Sequence, residues 1–124
     1  MSKDDRKQLG RWGEGVAATY LEAKGYQILQ RNWRTSRGEI DLVAQAGDEL
    51  VFVEVKTRRG REAGTPEEGF TAHKARKLLE LGQHYLFENN LADVSWRIDL
   101  VAVELDRQGK LLRCEHIPNA APQW

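Results

Sequence analysis

The sequence predicts an α/β domain, a mixed β-sheet of about five strands with two main flanking helices. Two observations carry this. Apolar residues recur at three- and four-residue steps in two segments and alternate or run on in five others. The order along the chain is helix, three strands, helix, two strands, and a strand–helix–strand step crosses right-handedly and sets the fourth strand parallel to the third. Length adds a bound: 124 residues make one domain, spanning 1–124, with room for one core and not for two.

The first helix is expected from about Lys7 to Lys24, on the stripe Leu9, Trp12, Val16 and Tyr20, with Gly25 as its stop. A strand follows from about Tyr26 to Trp33. Two more strands, Gly38 to Ala44 and Leu50 to Lys56, are joined by Ala46-Gly47-Asp48-Glu49, where Gly-Asp reads as the centre of a tight hairpin. Arg58 to Glu68 reads as a loop. The second helix runs from about Thr71, a plausible N-cap, to Glu88, on the stripe Ala75, Leu78, Leu79, Gly82, Tyr85 and Leu86. Trp96 to Leu105 and Leu111 to Ile117 are the last strands, turned by Asp106-Arg107-Gln108-Gly109, and the tail 118–124 reads as irregular.

The hairpin carries the chemistry. With Gly47-Asp48 at its centre, counting back sets Asp41 opposite Glu54 and Glu39 opposite Lys56. One face is then apolar (Ile40, Leu42, Ala44, Val51, Val53, Val55), and the charged face also holds Val43 and Phe52, half covered, with its charged end open as a cleft. Two opposed carboxylates are destabilising by themselves, and a divalent cation between them removes that cost. Magnesium takes oxygen ligands and uses one or two carboxylates. Asp41 and Glu54 supply those, and the Val55 carbonyl is a further candidate. Lys56 is placed to orient or deprotonate an attacking water and to offset charge on a scissile phosphate, which is the set that metal-assisted phosphodiester hydrolysis needs. The competing reading is an exposed salt-bridge ladder, which Glu39 and Lys56 alone would satisfy. A short echo, Ile-Asp-Leu-Val-Ala at 40–44 and again at 98–102, lacks this chemistry in its second copy: no Glu-x-Lys follows Asp99.

Composition narrows the rest. Nineteen basic residues balance nineteen acidic ones, which excludes a strongly basic coat for nucleic acid but not a local basic patch. One cysteine excludes an internal disulfide and suits a reducing compartment. The three histidines have no zinc-ligand spacing. There is no signal-peptide apolar core and no run long enough to span a membrane, so the expectation is a soluble, cytoplasmic protein with no membrane partner. Arg31, Arg34 and Arg37 lead into the hairpin, and Arg58, Arg59 and Arg61 leave it. As a group they are placed to track phosphates, with Arg34 and Arg58 foremost and Arg31 beside them. Lys74, opening the second helix, either reaches a phosphate or faces solvent. Trp12, Trp33 and Trp96 read as core or interface rather than as stacking platforms. No recognition helix is visible, so any preference is for DNA shape or branching.

Asp, about a dozen residues and then Glu-x-Lys on consecutive strands resembles the core signature of the PD-(D/E)-x-K nuclease superfamily. The wider pattern is Gly10-Arg11-x-Gly13-Glu14-x-x-Ala17, Tyr20-Leu21, Gly25-Tyr26, Arg31-Asn32-x-Arg34, Gly38-Glu39-Ile40-Asp41-Leu42 and Val51-Phe52-Val53-Glu54-Val55-Lys56-x-Arg58. It resembles the bacterial YraN-like family, which is similar to archaeal Holliday-junction resolvases. The resemblance covers most of the chain, most clearly up to about Arg76. It implies a restriction-endonuclease-like fold with Asp41, Glu54 and Lys56 at the catalytic positions. The proline that names the superfamily is replaced by Ile40, which leaves the metal chemistry intact. Glu14 matches a carboxylate that resolvase-like members carry near the metal. Its place on the helix, away from the apolar stripe, fits either the cleft edge or plain solvent. Glu39 is a candidate to bind the cation through water. Gly13 is a candidate for close packing of helix on sheet.

The sequence thus leads to a Mg2+- or Mn2+-dependent endonuclease acting on DNA, in branched or damaged forms. By analogy, a symmetric homodimer suits two-strand cleavage. The alternative is a catalytically silent module that keeps the fold to bind nucleic acid or a protein partner.

Overall fold

The first helix, α1 (Lys3–Ala23), is longer than its apolar stripe predicts. The computed structural model describes residues 2–121 and starts this helix with a capping box: Asp5 N–H donates to the Ser2 hydroxyl, and the Ser2 N–H donates to the Asp5 carboxylate. This satisfies two donors that the first turn would otherwise leave unpaired. The face that α1 buries also differs. Gly13, Ala17, Ala18 and Leu21 pack on the sheet, while Trp12 is 42 % and Tyr20 37 % exposed at the flank. Small residues let the helix approach closely. A Cβ at Gly13 would overlap Thr57 Oγ1 and come within 3.0 Å of Thr57 Cβ. Gly13 therefore does allow the close helix–sheet packing anticipated for it. Gly13→Ala is expected to cost about 1–3 kcal/mol, the usual penalty for overpacking, read as a lower urea midpoint at unchanged m.

Five strands follow the order β1-β2-β3-β4-β5. They are β1 (Gln27–Thr35), β2 (Gly38–Ala46), β3 (Glu49–Arg59), β4 (Trp96–Leu105) and β5 (Leu111–Ile117). The β3–β4 pair is parallel and the other three are antiparallel. The helix α2 (Ala72–Glu88) forms the β3–β4 crossover, with the Thr71 hydroxyl accepting from Lys74 N at 3.2 Å as N-cap. Each helix covers one face. Under α1 lie Leu42, Ala44, Val51, Val53, Val55, Val101 and Val103. Under α2 lie Ile40, Val43, Leu50, Phe52 and Ile98, met by Ala75, Leu78, Leu81, Tyr85 and Leu86. Phe52 meets Tyr85 and Trp96 edge-on, each at 5.5 Å between ring centroids, which is favourable quadrupole geometry. Trp33 and Trp96 pack partly buried against this core, as expected, and the periodicity missed only Leu81 on α2. Both faces being covered explains why Val43 and Phe52 are fully buried, not half covered. The Arg58–Glu68 loop is shorter than expected because β3 runs on to Arg59, and residues 67–69 form a short 3-10 turn.

The hairpin register is the one the Gly47-Asp48 turn implies, with Gly47 at φ 62°. Ala46 pairs with Glu49, and the ladder proceeds to Leu42–Val53. There it stops. Asp41 does not face Glu54 across a ladder, and Glu39 does not face Lys56. The Asp41 side chain instead accepts the Val55 N–H at 2.8 Å, taking the place a neighbouring backbone carbonyl would hold. Beyond this fork β2 stays with β1, through Trp33–Ile40 and Arg34–Glu39. The strand rotates as it leaves, so Ile40 packs under α2 although Leu42 packs under α1. Strict alternation would have kept them on one face. This departure creates the cleft.

Candidate metal and phosphate site

Three carboxylates meet at the fork. One oxygen from each of Glu14 (α1), Glu39 and Asp41 (β2) lies within 4.8 Å of the other two. Asp41 is 8 % exposed. Burial, and then the Glu54 carboxylate, push its carboxyl up to about 9, with Glu14 and Glu39 adding to the rise and the Val55 N–H opposing it. Burial also raises Glu14, whose carboxylate is hydrogen-bonded by the Asn32 side chain. Glu39 is held by Arg34, whose Nε donates to it at 2.8 Å. Glu14 is thus at the cleft and not in plain solvent.

Glu54 and Lys56 stand on the other side of the fork. Lys56 Nζ is 3.3 Å from Glu54 Oε2, and both side chains are largely buried. Lys74, in the first turn of α2, lies near Lys56, and the neighbouring ammonium, followed by burial, lowers its ammonium pKa. Glu54 is outside the carboxylate trio, yet near enough to bear on Asp41, Glu14 and Lys74. The arrangement is a split one: acids gathered against α1, two ammonium groups against α2, and Glu54 between them.

The arginines separate into two groups. Arg34 is committed to Glu39. Arg58 packs against Gly69 and donates from Nη1 to the Thr57 carbonyl at 3.2 Å, while its Nε is buried with no partner among the described residues. Arg31 lies on the surface beside Arg11 and Trp12. Arg61 leaves the site altogether and binds Glu104 at 2.8 Å, in a network that also ties Arg113 to Glu104 and Glu67. The second Ile-Asp-Leu-Val-Ala copy is also structural. Asp99 is fully buried and accepts from Arg97 Nε, His116 Nε2 and Asn119 N at 2.7–2.9 Å.

Asn32 is the residue the sequence reading missed. It takes a left-handed backbone, φ 53°, inside β1, which asparagine tolerates better than most residues, and so turns its amide to Glu14. Its signal was available, as an asparagine within an otherwise strand-like run. Chemically, three carboxylate oxygens suit a hard cation such as Mg2+ or Mn2+, and adjacent ammonium groups suit a phosphate.

The model of the Uncharacterised protein family UPF0102 matches residues 13–103. A UPF0102 protein of Roseiflexus castenholzii is 43 % identical over 119 residues, covering 95 % of this chain and 96 % of that protein. UPF0102 protein STH1475 of Symbiobacterium thermophilum is 50 % identical over 114 residues, 92 % and 96 % of the two chains. Among solved structures, Pyrococcus furiosus SfsA in complex with Ca2+ aligns with TM-score 0.45 and 13 % identity, over 90 % of this chain and 64 % of that one.

Proposed function

We propose that this chain, which belongs to the Uncharacterised protein family UPF0102, is a Mg2+- or Mn2+-dependent endonuclease that hydrolyses phosphodiester bonds in DNA. The observation that carries the reading is the meeting of Glu14, Glu39 and Asp41 beside the Glu54–Lys56 pair. On this reading Asp41, Glu14 and Glu39 would hold the cation, with Glu54 beside them and the Val55 carbonyl as a further candidate ligand. When bound, the cation polarises a phosphoryl oxygen and makes water a stronger acid. The Val55 N–H fixes the Asp41 side chain through Oδ2. Lys56, steadied by Glu54, donates from its ammonium to orient the attacking water and offsets charge on the scissile phosphate. Lys74 brings a second positive charge toward the phosphate oxygens. Arg58 and Arg31 take flanking phosphates, while Arg34 stays on Glu39 and steadies that carboxylate. Branched or damaged DNA is the preferred form on this reading, since nothing in the site reads base edges, and a homodimer would present two such sites to two strands. A cytoplasmic location fits such a substrate. No helix among the described residues is long and apolar enough to cross a membrane.

The test uses supercoiled, linear and four-way-junction DNA with Mn2+ or with chelator. Cleavage is expected only with metal, and Lys56→Ala is expected to lower its rate by about 100-fold or more. Binding to these DNAs with no cleavage of any of them would refute the proposal and leave the silent binding module.

A further inference from the structure

The cations of this neutral chain are not used alike. Far from the fork, Arg61, Arg97, Arg107 and Arg113 are each held by carboxylates. On α1, Arg6, Lys7 and Arg11 have no ion pair among the described residues, and neither does Arg31 on the neighbouring strand. Arg37 and Arg76 have none either, so these four are set apart by their place along the grooves beside the cleft. Two grooves share Arg11. One, of about 330 Å³, contains Glu14, Glu39, Arg6 and Lys7. The other runs on between α1 and β1, past Trp12 and Arg31. Both are floored by helical glycines, Gly10 in the first and Gly15 in the second. Unlike Gly13, neither is required by packing, because a Cβ there would meet nothing within 4 Å. Glycine is the poorest helix former after proline, so two of them facing open space on a helix have no local justification. They do keep the groove floor clear.

We infer that Lys7, Arg11 and Trp12, with Gly10 and Gly15 beneath, form a track for a single-stranded flank of DNA leading out of the carboxylate cleft. This rests on the nuclease reading for the cleft itself. The charge favours a polyanion, and the exposed indole selects the strand type: a paired base hides its face in the duplex stack, whereas an unpaired base presents it to an aromatic ring. Continuity through Arg11 joins track to cleft.

The test measures binding of fluorescein-labelled oligo-dT to the full chain in chelator, across a salt series, with a blunt duplex of equal length as comparison. Oligo-dT is expected to bind more tightly. Lys7→Ala/Arg11→Ala is expected to weaken it about tenfold or more and to reduce the salt slope by about 1.4. Trp12→Ala is expected to weaken it about fivefold to 100-fold, with Trp12→Phe restoring most of the loss. Gly15→Leu is expected to raise Tm while weakening binding, a combination that a purely structural glycine would not give. Equal affinity for both DNAs, or unchanged affinity in these variants, would overturn the track. The two proposals fail separately. Mn2+-dependent cleavage with no effect of these variants on oligo-dT binding removes the track alone. The expected binding pattern with no cleavage of any DNA removes the catalysis alone.

Discussion

Asp99→Ala is expected to destabilise the protein by about 3–5 kcal/mol, the range for removing one partner from a buried ion network. The carboxylate is fully buried and accepts from Arg97 Nε at 2.9 Å, His116 Nε2 at 2.7 Å and Asn119 N at 2.9 Å. Arg97 is bound in turn by Glu49 and the Tyr26 hydroxyl, and Lys24 Nζ lies 2.7 Å from His116 Nδ1. Truncation leaves the Arg97 charge short of its main partner, the buried His116 Nε2 unsatisfied and the Asn119 N–H without its acceptor. The network's remaining members join β3, β4, β5, the C-cap of α1 and Tyr26 just before β1. Urea unfolding should show the fall in midpoint with little change in m. A loss below about 1 kcal/mol would mean that water replaces the carboxylate, which its burial argues against.

Asp41→Asn is expected to have the opposite sign. Asp41 is raised in the folded chain to about 9 from its usual 3.8, by burial first and then by Glu54. Between those two values the native state binds more protons than the unfolded state at this residue, so the Asp41 contribution to metal-free stability is greatest below about pH 4 and declines as pH rises toward 9. Asparagine removes the titration and can still accept the Val55 N–H through its amide oxygen. The metal-free variant should therefore match or exceed the parent Tm near pH 8, by about 5 °C, and should lose most of the alkaline decline. It should also lose the Tm gain that Mn2+ gives the parent, a gain that grows with pH because the cation takes the deprotonated carboxylate. Thermal scans at several pH values, with metal or chelator, read both effects. A clear drop in metal-free Tm would instead make Asp41 an ordinary structural carboxylate.

Much of this was legible in the sequence for stated reasons. The Gly47-Asp48 turn fixes its own loop length, and loop length fixes register, so the pairings from Ala46–Glu49 to Leu42–Val53 follow from counting. The bounds of β4 and β5 followed from continuous apolar and alternating runs between clear turn residues. Counting failed where backbone pairing gave way to a side chain. Nothing in the residue order states that Asp41 will take the Val55 N–H, and the rotation of Ile40 accompanies that bond. The face of α1 was misread because size was taken for burial. Trp12 and Tyr20 carry the larger apolar area, but Gly13, Ala17 and Ala18 permit the closer approach, and close approach decided the packing. The gathering of Glu14 with Glu39 and Asp41 depends on that face, so periodicity alone left Glu14 undecided between cleft and solvent.

The proposed activity requires a cation among Glu14, Glu39 and Asp41. Anomalous diffraction from crystals soaked in Mn2+ addresses it directly. A single strong peak is expected within about 2.0–2.3 Å of oxygens from those three side chains, absent in Asp41→Asn crystals soaked alike. Soaked crystals with no peak at the fork, or with manganese bound only elsewhere, would contradict it.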